Sequence, residues 1–260
     1  MPYPQFSTVG QFLSVDIANY NSLQVVLQRR LSHGASFTVN YSYAKGLGTQ
    51  SWLSDPRNYH LDYGRLPDDL RHVLTISPIY ELPFGAGHRL TPGNGLAQKL
   101  VSGWTASSII TLRSGFPFNP TLAGTDLLHL NGNIIEDRPD QTCSGHVANP
   151  SPAQWFNAAC FVLPTEPTTP GAALRQGDTG VDILAGPRAF QEDLGLSKAT
   201  QIGERTSLEF RAELFNVWNH KVLGLPNAAI NPYAASGTVG RITTLDALPR
   251  VIQFGLKLQF

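Results

Sequence analysis

The sequence predicts an all-β fold: an antiparallel transmembrane β-barrel segment of about seven long strands in a curved, open sheet, with long extracellular loops. Three observations lead to this prediction. Apolar and polar residues alternate over segments of about 10 residues, which is the length that a strand needs to cross a bilayer. Short and long connections alternate along the chain. Glycine and proline are frequent, at 24 and 19 residues, which favours turns and strands over helices.

Each predicted strand places apolar side chains at alternate positions, because successive side chains of a strand point to opposite faces. The clearest example is 35–45, in which Phe37 and Val39 share one face while Thr38 and Asn40 share the other. In chain order, the predicted strands are 22–31, 35–45, 72–82, 102–112, 189–200, 206–218 and 250–260.

Two of these strands fit the pattern less well. In 189–200, Leu194 and Leu196 stand opposite Asp193, but the alternation is weak elsewhere. Pro78 lies inside 72–82 and has no backbone N–H to donate to a neighbouring strand. We therefore expect a bulge or a distortion at Pro78.

The polar faces of several strands carry charges. Glu209, Arg211 and Glu213 share one strand face, where three charges would be costly in the dry core of a soluble β-sandwich. They suit the wall of a water-filled lumen. There they would either contact a solute or a plug, or face water without a specific ligand. The lumen-facing candidates are Arg30, Arg113, Glu209, Arg211, Glu213 and Lys257.

Aromatic residues lie near the predicted strand ends, on or beside the apolar face. Tyr and Trp favour the headgroup level of a membrane, where one end of the ring is wet. The alternative interpretation is that they are ordinary core aromatics of a β-sandwich. The candidates for an aromatic girdle are Tyr41, Tyr43, Tyr80, Trp104 and Trp218.

The connections sort by length onto two sides of the predicted sheet. With a periplasmic carboxyl terminus, the long connections, about 46–71, 114–188 and 219–249, all fall on the extracellular side. We expect 20–260 to form the carboxy-terminal part of a barrel and 1–19 to be the remnant of an extracellular loop.

The two cysteines, Cys143 and Cys160, lie in one stretch rich in Pro, Asn and Ser. A pair so placed suits an extracytoplasmic disulfide across a loop. Two unpaired thiols are the alternative.

No feature of the sequence predicts an enzyme, a cofactor, a metal site or nucleic-acid binding. The 19 basic and 19 acidic residues give a formal net charge of zero, whereas nucleic-acid binding normally requires a basic patch. The scattered histidines lack the spacing of a zinc site. No apolar run reaches the roughly 18 residues of a membrane helix, and the amino terminus lacks the basic and apolar regions of a secretory signal peptide.

A series of short motifs runs from about Tyr20 to the end of the chain. The motifs are Tyr20-Asn21-Ser22-Leu23-Gln24, Tyr41-Ser42-Tyr43-Ala44-Lys45, Tyr80-Glu81-Leu82-Pro83-Phe84-Gly85, Gly103-Trp104, Ser114-Gly115-Phe116-Pro117-Phe118, Ala153-Gln154-Trp155-Phe156-Asn157 and Arg211-Ala212-Glu213-Leu214-Phe215-Asn216. In their order and spacing they resemble the carboxy-terminal barrel of TonB-dependent receptors of the Oar-like type.

The resemblance implies a protein of the bacterial outer membrane that binds a ligand and takes it up with energy from the inner-membrane TonB complex. It also implies a periplasmic plug domain and a barrel of roughly 22 strands. Because this sequence carries no plug, TonB box or signal peptide, we expect a fragment, the last third of such a receptor, with TonB contacted through the missing amino-terminal part. Two alternatives remain open: an outer-membrane adhesion or structural surface protein, and a soluble β-sandwich carbohydrate-binding module.

The final strand ends on an aromatic residue. In outer-membrane proteins, a terminal aromatic with alternating apolar partners resembles the signal that the barrel-assembly machinery reads. The alternative is that these side chains only face lipid. The residues concerned are Phe254, Leu256, Leu258 and Phe260.

Overall fold

The structure is a computed structural model that describes residues 14, 16–49, 54–55, 58–84, 95–128, 137–166, 175–234 and 237–260, with Leu96 described by its backbone. Most of the predicted loop remnant 1–19 lies outside the described residues, as do parts of all three predicted long connections.

The described residues form sixteen strands, one α-helix and two 3₁₀ helices. The helix α1 is Gly95–Val101, and the 3₁₀ helices are Tyr59–Asp62 and Ala158–Cys160. The strands are β1 (Ala18–Ser32), β2 (Ala35–Thr49), β3 (Tyr63–Arg65), β4 (His72–Glu81), β5 (Trp104–Arg113), β6 (Pro117–Phe118), β7 (Thr121–Leu122), β8 (Asp140–Gln141), β9 (His146–Ser151), β10 (Gln154–Phe156), β11 (Phe161–Val162), β12 (Leu184–Ala185), β13 (Ala189–Gln201), β14 (Ser207–Phe215), β15 (Ala229–Ile230) and β16 (Val251–Gln259).

Seven long strands form one sheet in the order β1-β2-β4-β5-β13-β14-β16, and every neighbouring pair is antiparallel. We call them the wall strands. They confirm the predicted all-β antiparallel fold. The strands β1 and β2 are longer than predicted, because β2 continues beyond 45 to pair with β1 and then with β3. Among the described residues, the outer edges of β1 and β16 have no ladder partner.

The register aligns the apolar faces of all seven wall strands on one side of the sheet. Tyr41 pairs with Leu74, Leu74 with Leu112, and Leu112 with Phe190, so one apolar row crosses four strands. From Ala35 to Tyr43, strand β2 spans about 27 Å at about 3.4 Å per residue. That length is close to the apolar band of roughly 25 Å on an outer-membrane barrel. We call this side of the sheet the apolar face and the other side the polar face.

Pro78 interrupts the sheet locally, so the structure shows the distortion that was expected there, and it takes the form of missing pairing and not of a bulge. Strand β4 keeps the same register with β2 and with β5 on both sides of the proline. Only the pairing of Ser77 and Pro78 with β5 is missing. A residue of an antiparallel strand directs its N–H and C=O toward the same neighbour, so the missing donor removes one rung without shifting the rest.

The two ends of the sheet differ as the sequence predicts. At one end, which we call the turn end, His33 and Gly34 join β1 to β2 with φ values of 53° and 77°. Positive φ at both central residues is the signature of a type I′ turn, whose twist matches the flanking strands. The tight turn 202–206 joins β13 to β14 at the same end. The long connections all leave the other end, which we call the cap end.

The long connections 114–188 and 219–249 are not plain loops, because they fold on each other into a unit that we call the cap. Four two-stranded sheets hold it: β6 with β12, β7 with β15, β8 with β11 and β9 with β10. Its hydrophobic core is made of Phe118, Phe156, Cys160, Phe161 and Leu184.

The hydrophobic core lies in the cap and not against the wall strands. Among the described residues, the buried hydrophobic side chains of the wall strands are only Ala44 and Ala212. Large apolar side chains such as Leu23, Phe254 and Leu256 are at least half exposed. A β-sandwich would bury this face against a second sheet, so the soluble sandwich alternative is wrong. None of the described helices is long and apolar enough to span a bilayer.

Candidate functional site

The cap contains a cavity of about 400 Å³ where it meets the extension of the sheet. Three aromatic side chains from two cap segments line it: Phe118 on β6, and Trp155 and Phe156 on β10. Arg65, on β3, and His146, on β9, add a cationic and a titratable group. Concave sites lined by apolar rings and a few polar groups are the usual form of small-molecule sites.

The aromatic wall of the cavity is held by neighbouring groups. The Trp155 Nε1 donates a hydrogen bond to the Ala185 carbonyl at 2.9 Å. The rings of Phe118 and Phe156 lie 5.7 Å apart, and those of Phe156 and Phe161 lie 6.0 Å apart in an edge-to-face arrangement. Such ring pairs add stability beyond the apolar area that they bury.

A disulfide joins Cys143 and Cys160 behind this wall. The Cys160 side chain is buried, and its carbonyl accepts hydrogen bonds from the backbone and hydroxyl of Thr142. Gly145 has a φ of 74°, and a Cβ atom there would come within 2.6 Å of the Phe161 ring. The chain can therefore pass this close to the ring only with glycine at that position.

Arg65 is oriented by a buried carboxylate. Its Nε donates to Asp69 Oδ2 at 2.8 Å, and the Asp69 side chain is fully buried. Asp69 also accepts hydrogen bonds from the Gly46 backbone and from Arg71. These contacts fix the cationic side of the cavity to the end of β2.

A buried polar network ties the cap to the segment after β2. The Arg138 guanidinium donates to the carbonyl oxygens of Leu61 and Thr179. Its backbone N–H donates to Gln176, which in turn donates to Asp137. Among the described residues, the Arg138 Nε has no hydrogen-bond partner.

Burial shifts the pKa of two groups in this region. It lowers the pKa of the Arg138 guanidinium, and the carboxylates of Asp62 and Asp178 oppose that shift. Burial also raises the pKa of Asp62, although hydrogen bonds from the Ser54 backbone and hydroxyl oppose the effect. Sequence patterns do not reveal this network, because Arg138 and Leu61 are 77 residues apart.

The polar face brings four of the lumen-facing candidates together. Glu209 pairs with Lys257 across β14 and β16, and the Arg211 Nε donates to Glu209 at 2.6 Å. Glu213 pairs with Gln253 on the same face. Mixed charges at this spacing neutralise one another and leave the face hydrated without a strong field of one sign.

The other two candidates lie apart from this group. Arg113 ends β5, forms an ion pair with Asp246 and places its guanidinium 4.4 Å from the Phe116 ring centre. Arg30 sits at the register irregularity between Arg29 and Ser32, so the pairing does not assign it a face.

Two charged residues on the apolar face were missed in the sequence, where they account for the weak alternation of 189–200. Glu192, opposite Ile110, accepts hydrogen bonds from Ser108 and from the Trp218 Nε1 at 2.6 Å. Lys198 lies opposite Trp104 near the turn end. Its Nζ donates to the carbonyl oxygens of Lys99, Leu100 and Ser102 at the end of α1.

The girdle candidates divide between the two ends of the sheet. Tyr41 and Tyr43 lie at the cap end around His72, and the Tyr41 hydroxyl is 2.9 Å from His72 Nδ1. Trp218 follows β14 at the same end, while Tyr80 and Trp104 lie at the turn end. The four residues of the candidate assembly signal are all exposed, and these are Phe254, Leu256, Leu258 and Phe260.

Among the described residues, no three His, Cys, Asp or Glu side chains are close enough together to hold a metal ion.

Comparison with known proteins agrees with this architecture. A family model described as an outer membrane beta barrel domain matches residues 1–253. No curated protein and no solved structure matches the chain. The family match covers almost the whole sequence, and the lipid-width apolar face has the form that such a domain requires. The chain belongs to the outer membrane beta barrel domain family and is a protein of the bacterial outer membrane.

Proposed function

We propose that the chain forms part of the barrel of a TonB-dependent receptor of the Oar-like type, which binds a ligand at the cell surface and takes it up across the outer membrane. The observation that supports this best is the cap cavity, because it combines aromatic and cationic groups at the end of the sheet that carries the long connections. Long connections lie on the extracellular side of outer-membrane barrels.

The cavity suits a ligand with a flat apolar surface and an acceptor or anionic group. Phe118, Trp155 and Phe156 offer ring surfaces, and Arg65 offers a guanidinium oriented by Asp69. A polar solute released from the cavity would then pass along the hydrated polar face, where Glu209, Arg211 and Lys257 offset one another's charge. This function involves no covalent chemistry, so we do not propose an enzyme.

The proposal implies several partners. The apolar face contacts membrane lipid, a plug and the rest of the receptor barrel would complete the pore, and the TonB complex would supply energy through an amino-terminal part. The barrel-assembly machinery would insert the chain by reading its terminal strand.

Crosslinking in intact cells tests the energy coupling without knowledge of the ligand. The full-length gene is expressed with an epitope tag, the cells are treated with formaldehyde, and the adducts are probed for TonB. We expect a TonB adduct, which should be lost in a strain that lacks TonB. No adduct with the assembled receptor would reject energised uptake and would favour the adhesion or structural function instead.

A further inference from the structure

A second pocket lies on the apolar face at the cap end, and we call it the rim pocket. It has a volume of about 580 Å³. Its lower wall is the apolar row of Leu74, Leu112 and Phe190, which the register places side by side on β4, β5 and β13. Its upper edge carries His72, Arg188 and His220. The pocket therefore lies where the surface that faces lipid meets the extracellular cap.

The three basic side chains on the upper edge are exposed. Arg188 immediately precedes β13, and among the described residues its guanidinium has no hydrogen-bond or ion-pair partner. His72 is held by the Tyr41 hydroxyl at Nδ1. The His220 ring stands edge-on to Phe190 with 6.0 Å between ring centres. Both imidazoles thus line the same pocket as a guanidinium that has no counter-ion within the described part of the chain.

Two acidic groups in the described residues around the rim pocket, Asp246 and Glu192, are already engaged. Asp246 forms its ion pair with Arg113. Glu192 lies two positions beyond Phe190 on β13, deeper in the apolar face, and accepts hydrogen bonds from Ser108 and Trp218. None of the carboxylates in the described ranges therefore pairs with Arg188.

We propose that the rim pocket binds the phosphorylated headgroup of a lipid in the outer leaflet. Arg188 pairs with the phosphate, His72 and His220 hydrogen-bond to it, and an acyl chain lies over Leu74, Leu112 and Phe190. A guanidinium matches phosphate with two parallel hydrogen bonds, which an ammonium cannot do. Basic pockets at the membrane surface are known to recognise anionic lipid headgroups. The inference rests on the family assignment and not on uptake.

Native mass spectrometry of the full-length protein in detergent tests the proposal. The probes are phosphatidic acid, diacylglycerol with the same acyl chains, and inorganic phosphate. We expect wild type to retain phosphatidic acid, and Arg188→Gln to bind it about tenfold more weakly, which corresponds to about 1.4 kcal/mol. The affinity of Arg188→Lys for phosphatidic acid should lie between those of wild type and Arg188→Gln, because lysine keeps the charge but cannot form the two parallel hydrogen bonds.

Arg205→Gln is the matched control, because Arg205 is also exposed but lies in the turn at the opposite end of the sheet. It should bind phosphatidic acid as wild type does. Equal binding by wild type and Arg188→Gln would overturn the proposal. If wild type retained diacylglycerol as well as phosphatidic acid, the site would be an apolar groove without headgroup recognition. If it retained inorganic phosphate equally well, the site would bind free anions. Either result would also overturn the proposal. A heat-modifiable band on gels shows that each variant is folded.

Discussion

At the residue scale, Asn216 shows how one side chain can end a wall strand. It follows β14 with a φ of 51° and is buried. Its side-chain amide donates to the carbonyl oxygens of His220 and Leu248, and its side-chain oxygen accepts from the His220 backbone. Asparagine tolerates the left-handed region because its short polar side chain can make such local bonds. The sequence offered Asn216 as part of a motif but gave no indication of this role.

Replacing Asn216 should separate the backbone effect from the hydrogen bonds. Asn216→Gly keeps the tolerance for positive φ and should cost about 1–3 kcal/mol, because the two part-buried hydrogen bonds from the side-chain amide to the His220 and Leu248 carbonyls are lost. Asn216→Ala loses the same bonds and adds roughly 1–2 kcal/mol for a left-handed backbone. Urea unfolding in lipid vesicles, followed by tryptophan fluorescence, measures both changes. Equal free energies of unfolding for the two variants would show that backbone conformation is not part of the role of Asn216.

At the element scale, β13 departs most from its sequence pattern. Glu192 and Lys198 are charged residues on the apolar face, one toward each end of the strand. Each is satisfied by groups from another element: Glu192 by Trp218, and Lys198 by the carbonyl end of α1. Charged side chains near the ends of a membrane-spanning segment can reach polar partners at the interface. The alternation alone could not predict these partners, because they come from distant parts of the chain.

Lys198 should stabilise the last turn of α1. The final carbonyls of a helix have no partner within the helix. Lys198 donates to two of them, those of Lys99 and Leu100, and to the Ser102 carbonyl just beyond the helix. In Lys198→Met, we expect the backbone amides of α1 and Ser102 to exchange hydrogen for deuterium about tenfold faster, as the loss of a charge-assisted hydrogen bond implies. The amides of β13 should be unchanged.

Lys257→Met is the control for Lys198→Met, because Lys257 lies on the polar face of β16 and should not affect α1. Unchanged exchange of α1 in Lys198→Met would show that Lys198 does not hold the helix.

Phe260 should act in barrel assembly and not in packing. Its side chain is 97% exposed, so its removal costs no contact within the chain. We expect Phe260→Ala to lower the amount of assembled barrel in the outer membrane several-fold, whereas Gln259→Ala should leave it unchanged. Heat-modifiable protein in the membrane fraction measures assembly, and refolding of both variants into vesicles should match wild type. Normal assembly of Phe260→Ala in cells would reject the signal role.

At the scale of the whole molecule, the wall strands could be predicted and the cap could not. The alternation of apolar and polar residues is visible within a single segment, so the residues of 35–45 are enough to predict which of them share a face. The cap cavity joins Arg65, Phe118 and Trp155 from three segments, none of which shows a regular period. The parallel pairing of Thr121 with Ala229 is equally remote in sequence. The cap therefore depends on long-range contacts, whereas the wall depends on alternation.

Register, and not the chemistry of each side chain, decides which residues face lipid. Strand β5 contains two residues that separate these possibilities. Ser108 is polar but lies on the apolar face, opposite Leu194. Ile109 is apolar and 53% exposed but lies on the polar face, opposite Asp193.

Spin labels placed one at a time at positions 105 to 112, in the full-length protein in lipid vesicles, show which side chains face lipid. Collisions with oxygen report lipid, and collisions with a water-soluble nickel chelate report water. We predict oxygen maxima for labels at Ala106, Ser108 and Ile110, and nickel maxima for labels at Ser107, Ile109 and Thr111. If a label at Ile109 met more oxygen and less nickel than a label at Ser108, side-chain chemistry and not register would decide which residues face lipid.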